Sequence, residues 1–225
     1  MDGPGNRFVL FMQGCDFDCR ACHNPHTIPM ESVRAKRMTV EDVLVRLRES
    51  RAYLSGLTVS GGEATVQWEF VRDLFTAVRA DADLSGLTTM VDSNGNAAPQ
   101  VWRALAPVMD GAMIDLKALD PEVHEELAGR SNEAVLASIR QLAGLGLLAE
   151  VRLLLIPGRN DADEDLERAA AWLAGIDPNI PVRVNLFATH GVRAPASSWR
   201  PAVAQDRTRY EAVLRAAGTR IVTDA

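Results

Sequence analysis

Short apolar runs alternate with amphipathic stretches about six times in 225 residues, and that alternation restricts the fold more than any other feature of the chain. The runs cover residues 7–13, 57–60, 87–91, 111–114, 150–156 and 182–187, with a short one at 219–223. They are continuous rather than alternating, which predicts strands buried on both faces and therefore a parallel sheet. Helices are expected between them. Thr39 caps the first, with Glu41 and Asp42 in its opening turn and Val40, Val43, Leu44 and Leu47 on one face. Residues 68–79 place Phe70, Val71, Leu74, Phe75 and Val78 on one side, and Pro99 opens a further helix where proline is tolerated. Helical pieces at 121–127, 133–142, 165–173 and 206–217 complete the pattern. Returns between parallel neighbours are right-handed. A closed eight-unit barrel takes about 250 residues. Six units in this length predict an α/β fold, an incomplete (β/α)6 TIM-like barrel with a parallel sheet. No repeat, low-complexity tract or linker divides the chain, so residues 1–225 are expected to form a single domain.

Composition narrows the setting. Hydrophobic residues make up 47% and charged residues 24%, as in ordinary soluble globular proteins. A net charge of −6 speaks against nucleic acid as the main partner, which would call for a basic patch. No apolar run approaches the roughly 18 residues of a membrane span, so no membrane association is expected. Met1-Asp-Gly-Pro-Gly5 does not read as a signal peptide, and reducing cytoplasm is the expected location. Only Lys36 and Lys117 among 24 basic residues are lysines, so a lysine here hints at a need that arginine does not meet.

All three cysteines fall in Met12-Gln-Gly-Cys15-Asp-Phe-Asp-Cys19-Arg-Ala-Cys22-His-Asn24, delivered by the first strand. Three thiolates on one short loop can converge on one metal centre. A cubane iron–sulfur cluster usually takes four cysteines. With three, one iron lacks a protein thiolate and is open to a substrate or cofactor. Zinc completed by His23 or His26 is the rival reading, and three inert cysteines are the plainest one. A disulfide framework fits neither the odd number nor the setting.

Other unusual residues fall at or just past the ends of the expected strands: Gly61-Gly62-Glu63, Asp92, Asp115 with Lys117, and His190. In parallel barrels those ends share the face that holds active sites. Gly61-Gly62 lets backbone approach a ligand closely, or is a plain strand-to-helix turn. Glu63 and Asp92 can accept hydrogen bonds from an ammonium group, or merely cap and solvate. Lys117 can pair with a carboxylate or stand exposed, and Asp115 shares its face by the two-residue period. Beside a thiolate-held metal, these groups fit an amino-acid-like cofactor bound to an open iron.

Cys15-x3-Cys19-x2-Cys22 followed by Ser60-Gly-Gly-Glu63 resembles the radical S-adenosylmethionine superfamily. The likeness sharpens to the glycyl-radical-enzyme activating enzymes, the pyruvate formate-lyase activase group. The shared stretches are Asp2-Gly-Pro-Gly5 with Arg7, Gln13-Gly-Cys15, Cys22-His-Asn24, Ser60-Gly-Gly-Glu-Ala64, Asp92-Ser-Asn-Gly95, Asp115-Leu-Lys117 and Ile156-Pro-Gly158. Thr58 through Thr65, Val91 through Gly95 and His190 through Trp199 look most like its YjjW-type branch. The resemblance implies a [4Fe-4S] cluster on Cys15, Cys19 and Cys22, with S-adenosylmethionine chelating the open iron through its amino and carboxylate groups. Reductive cleavage of the S–C5′ bond would give a 5′-deoxyadenosyl radical. That radical would take a hydrogen atom from a glycine of a partner glycyl radical enzyme, with flavodoxin or ferredoxin as electron donor.

By the same resemblance, Gly61, Gly62 and Glu63 hold the methionine amino group, Asp115, Lys117 and His190 hold ribose and carboxylate, and Leu116 is a further cofactor-binding residue. Ala21, His23 and Asn24 line the cofactor beside the cluster. Asp92 with the Met113 carbonyl forms a monovalent cation site. Asp2, Gly3, Pro4, Gly5, Arg7 and His23 face the glycine loop of the partner. Ala21 stands where many members have an aromatic residue near the adenine, so Ile156 or Val192 is expected to pack there. Members usually have an extra strand ahead of Asp-Gly-Pro-Gly, and this chain begins there. Several branches, the YjjW-type included, insert a ferredoxin-like segment after the first motif. Residues 25–38 are short and cysteine-free, so no auxiliary cluster is expected. Two other readings stand beside this one: a radical S-adenosylmethionine enzyme acting on a small molecule, such as a deazapurine synthase, and a zinc-stabilised binding protein without catalysis.

Overall fold

The computed structural model describes residues 3–222. Seven strands form one sheet in sequence order: β1 (Arg7–Met12), β2 (Gly56–Gly61), β3 (Thr88–Ser93), β4 (Gly111–Leu116), β5 (Leu148–Leu155), β6 (Pro181–Leu186) and β7 (Arg220–Ile221). Every neighbouring pair is parallel. Among the described residues β1 and β7 do not pair, so the sheet is open: six strand–helix units and one short final strand. Thr223, the expected end of that last strand, lies outside the described residues.

The helices are α1 (Val40–Ser50), α2 (Trp68–Ala80), α3 (Pro99–Leu105), α4 (Pro121–Ala128), α5 (Glu133–Gly144), α6 (Asp163–Ala174) and α7 (Ala204–Ala216). Local chemistry sets their ends. Thr39 Oγ1 accepts from Asp42 N at 3.2 Å while Thr39 N donates to Asp42 Oδ2 at 2.8 Å, a reciprocal cap for α1. Proline opens α3 and α4, and α4 stops at Gly129 with φ of 76°. No helix among the described residues is long and apolar enough to cross a membrane.

Consecutive strand order with right-handed crossovers puts every helix on one side of the sheet. On that side Leu57, Val59, Val91, Ile114, Val151 and Val182 are fully buried against helix residues such as Leu47, Leu74, Phe75, Trp102 and Ile139. The other face departs from the expected apolar pattern. Thr58, Ser60, Asp92, Asp115, Arg152 and Arg183 alternate with the helix-facing residues and line the barrel interior. They are tolerated there because they pair. Arg152 Nη1 donates to Asp92 Oδ1 at 2.8 Å and Arg152 Nε to Glu150 Oε1 at 2.6 Å. Arg183 Nε donates to Glu150 Oε2 at 3.0 Å, and Ser60 Oγ to Asp92 Oδ2 at 2.9 Å.

Candidate active site

β1 ends at Met12, and the cysteine loop turns from it across the rim. Gly14 N donates to Thr27 O at 2.8 Å and Cys15 N to Ile28 O at 3.0 Å, so the loop closes on its own return. Asp18 N donates to Ala128 O at 3.2 Å and Arg20 N to Leu127 O at 2.9 Å, which anchors it on the end of α4. Arg130 Nε donates to Asp16 O at 2.6 Å. The loop after β6 holds it from another direction. Arg193 pairs with the Asp18 carboxylate and donates to the Asp18 carbonyl at 3.2 Å, and His23 Nε2 lies 3.0 Å from Ala188 O.

Cys15, Cys19 and Cys22 are free thiols, each partly exposed. Burial pushes the Cys15 thiol up to about 12, and it pushes Cys19 up to about 11 against the nearby Lys117 charge. Neither thiol is a ready nucleophile at neutral pH; a bound metal is what deprotonates such groups. A closed zinc site gathers its donors around one ion at roughly 2.0–2.3 Å. Among the described residues no three His, Cys, Asp or Glu side chains are grouped to hold a metal ion in that way. A cubane spreads its cysteine thiolates over several irons and needs no such convergence. Three free thiols on one short loop are a donor set that a cubane can use.

The end of β2 lies directly on this loop. Gly62 N donates to Met12 O and Glu63 N to Gly14 O, both at 2.8 Å. Gly61 has φ of 114°, and a Cβ on Gly62 would lie 2.2 Å from Gly14 O, so only glycine permits the approach. Glu63 is 1% exposed. Its carboxylate accepts from Thr65 N at 2.8 Å, Thr65 Oγ1 at 2.6 Å, Ser93 Oγ at 2.8 Å and Asn94 N at 2.7 Å. Burial pushes its carboxyl up to about 7 against the pull of those donors. The side chain expected to receive an ammonium group thus also ties the end of β2 to the end of β3.

β4 delivers Asp115, Leu116 and Lys117 to the same rim. Lys117 Nζ lies 2.5 Å from Asp115 Oδ2. Burial opposes the ammonium, but the Asp115 and Cys19 charges outweigh it and hold Lys117 above its ordinary range. Asn160 Nδ2 donates to Lys117 O at 2.6 Å and fixes the backbone there. Leu116 is buried. Ala21 and Ile156 pack with Leu127, Phe187 and Ala196 in a second apolar cluster, with Val192 and Trp199 at its edge, so both expected adenine neighbours are in one place. Asn24 O accepts from Thr27 N at 2.9 Å and turns the loop after Cys22. His190 stands exposed and makes no hydrogen bond or ion pair among the described residues.

Of the expected cation seat, the Asp92 carboxylate is already in use. Asp92 is engaged by Ser60 and Arg152, and Met113 Sδ accepts from Arg152 Nη2 at 3.0 Å. The expected partner-facing residues divide. His23 is on the rim, whereas Gly3 packs near Arg7 and Met90, and Gly5 near Ser55, at the start of the strands. β1 separates the two groups by six residues, roughly 17–20 Å of strand. Arg7 Nε donates to Thr58 Oγ1 at 2.6 Å and Arg7 Nη1 to the Pro4 carbonyl at 3.3 Å. Asp2 lies outside the described residues.

Sequence reasoning missed Asp16, Asn94, Asn96, Glu150, Arg152, Arg183 and Arg193. Glu150-x-Arg152 inside an apolar strand was a usable signal, since charges on one face of a buried strand must be paired. Nothing in the sequence marks Arg193, which acts across 175 positions of chain.

The model of the Radical SAM superfamily matches residues 9–172. The chain is 38% identical over 178 residues to the pyruvate formate-lyase-activating enzyme of Streptococcus mutans, an alignment spanning 77% of this chain and 68% of that one. It is 37% identical over 174 residues to the pyruvate formate-lyase 1-activating enzyme of Escherichia coli strain K12, spanning 75% and 68%. In fold it resembles a domain of pyruvate-formate lyase-activating enzyme from Bacteroides vulgatus, with TM-score 0.63, 20% identity and coverage of 76% and 99%. It also resembles Streptococcus suis SuiB bound to S-adenosylmethionine, with TM-score 0.73, 16% identity and coverage of 100% and 51%. The thiol loop, the glycine turn seated on it and these relatives converge, and the chain belongs to the radical SAM superfamily, in the group of pyruvate formate-lyase-activating enzymes.

Proposed function

We propose that this chain holds a [4Fe-4S] cluster on Cys15, Cys19 and Cys22, cleaves S-adenosylmethionine reductively, and so takes a hydrogen atom from a glycine of a partner glycyl radical enzyme. The observation that supports this best is the direct seating of Gly61-Gly62-Glu63 on the cysteine loop, through Glu63 N to Gly14 O at 2.8 Å. A bare glycine turn beside three free thiols supports reading that turn as the cradle for an amino group. When bound, the cluster supplies one electron at an iron without a protein thiolate.

The residues then divide the work. Gly61 and Gly62 bring bare backbone to the methionine amino group, with Glu63 fixed behind them. Lys117 offers its ammonium to the carboxylate, and Asp115 offers an acceptor to the ribose hydroxyls, with His190 closing from the β6 loop. Leu116, Asn24 and the Ala21–Ile156–Val192 cluster shape the adenine end and exclude water, which keeps a reactive species beside its target. A monovalent cation on Asp92 and the Met113 carbonyl belongs to the same reading, and its entry requires Arg152 to release Asp92 Oδ1. The glycine segment of the partner is read by the Asp2-Gly3-Pro4-Gly5 motif and Arg7, with His23 meeting it at the rim. The whole chain works as one domain in the cytoplasm and draws electrons from flavodoxin or ferredoxin.

Anaerobic purification followed by metal and sulfide analysis tests the centre. About four irons and four sulfides per chain are expected, with loss of iron in Cys15→Ser, Cys19→Ser and Cys22→Ser. Stoichiometric zinc without iron would overturn the reading. A reductant and S-adenosylmethionine should then yield 5′-deoxyadenosine, and electron paramagnetic resonance of the added partner should show a glycine-centred doublet.

A further inference from the structure

We propose that the side-chain amide of Asn94 donates a hydrogen bond to the Cys15 sulfur and raises the reduction potential of the centre that the cysteines hold. The inference rests on the cluster reading above and deepens it. Asn94 Nδ2 lies 3.8 Å from Cys15 Sγ and 2.8 Å from Asp16 Oδ1, and its two protons serve the two acceptors.

The orientation of the amide is fixed by its surroundings. Asn94 Oδ1 accepts from Asn96 N at 2.8 Å, so the NH2 end must face Cys15 and Asp16. The backbone is pinned as well, by Asn94 N to Glu63 Oε2 at 2.7 Å. Asn96 Nδ2 holds the other Asp16 oxygen at 2.7 Å, which keeps Asp16 from swinging away. Asn94 is 9% exposed, so water does not compete freely for its protons. It is a positioning residue, placed to act on the centre through a ligand.

The chemistry gives the sign. A metal-bound thiolate is anionic and accepts a hydrogen bond more strongly than a thiol does. Hydrogen bonds to the sulfurs are among the levers that set iron–sulfur potentials. Reduction adds negative charge, so a donor aimed at a ligand sulfur favours the reduced state. The Glu63 and Asp16 carboxylates, whose charges both reach Cys15, act in the opposite sense. Asn94 offsets them at Cys15.

A redox titration of the reconstituted protein, followed by the paramagnetic signal of the reduced cluster without S-adenosylmethionine, reads this directly. Asn94→Leu removes the donor while keeping the number and branching of side-chain heavy atoms. Its reduction equilibrium constant should fall about tenfold, equivalent to about 59 mV for a one-electron couple. Asn94→Gln, which keeps a donor, should restore part of that loss. Asn96→Ala, which leaves the donor in place, should shift it less than Asn94→Leu. An Asn94→Leu midpoint equal to the parent at full iron and sulfide content would overturn the assignment. Failure of both Asn94 variants to retain iron would do the same, because Asn94 would then hold the loop rather than tune it. Zinc without iron in the parent protein would instead sink the cluster reading beneath it.

Discussion

Arg152 reaches from β5 across β4 to Asp92 on β3, with Nη1 2.8 Å from Oδ1 and side chains only 7% and 15% exposed. The same guanidinium meets Glu150 at 2.6 Å. Burial alone would lower the Arg152 pKa, but Asp92, Asp115 and Glu150 more than reverse that. β3 and β5 are thus tied across β4 by one cation. Arg152→Met should cost about 3–5 kcal/mol, because it strands buried carboxylates rather than removing a neutral contact. Urea denaturation measures it, and Asp92→Asn on top of Arg152→Met should recover part of the loss. An unchanged midpoint would show that the charges are not held as described.

Arg193 reaches from the β6 loop to Asp18 between the first two cysteines and adds a bond to the Asp18 carbonyl at 3.2 Å. The pair is largely exposed, so Arg193→Met should change global stability by less than about 1 kcal/mol. Its effect should be local. Iron release to a chelator from the reconstituted protein is expected to be several-fold faster. Equal release rates would remove Arg193 from any part in retaining the loop.

Asp206, in the first turn of α7, accepts from Arg200 Nη1 at 2.8 Å and from Val203 N at 2.8 Å. The Arg200 bonds first, then the Val203 bond, draw its carboxyl down from 3.8 to about 2. A depressed carboxyl contributes stability above the unfolded pKa and loses it as pH falls through the folded one. Asp206→Asn should therefore melt below the parent at pH 6, and the gap should close as pH approaches about 2. A gap that stays constant across that window would contradict the linkage.

Much of this architecture was written plainly in the chain. Continuous runs such as Leu57-Thr-Val-Ser60 marked parallel strands, and Thr39 with Asp42 marked the start of α1, because these are local signals. The rim positions of Cys15, Gly61, Asp92, Asp115 and Lys117 followed from strand order alone. The interior charges were harder to see. Arg152 and Arg183 hide among valines and leucines, and their partners are set by register, which a sequence does not display. Asn94 passed as one member of the Asp92-Ser-Asn-Gly95 stretch, since nothing local says that its amide faces Cys15. Gly3 and His23 were grouped by shared resemblance, yet they lie toward opposite ends of β1.

A methyl group on Gly62 would lie 2.2 Å from the Gly14 carbonyl oxygen and 2.8 Å from that of Thr27. Residues 13–28 and 60–65 are for that reason one mutually fitted unit, despite the helix and strand between them. A chimera that borrows one from a relative and the other from a second parent would join surfaces never fitted to each other. Transplanting both together is the combination that keeps the seam intact.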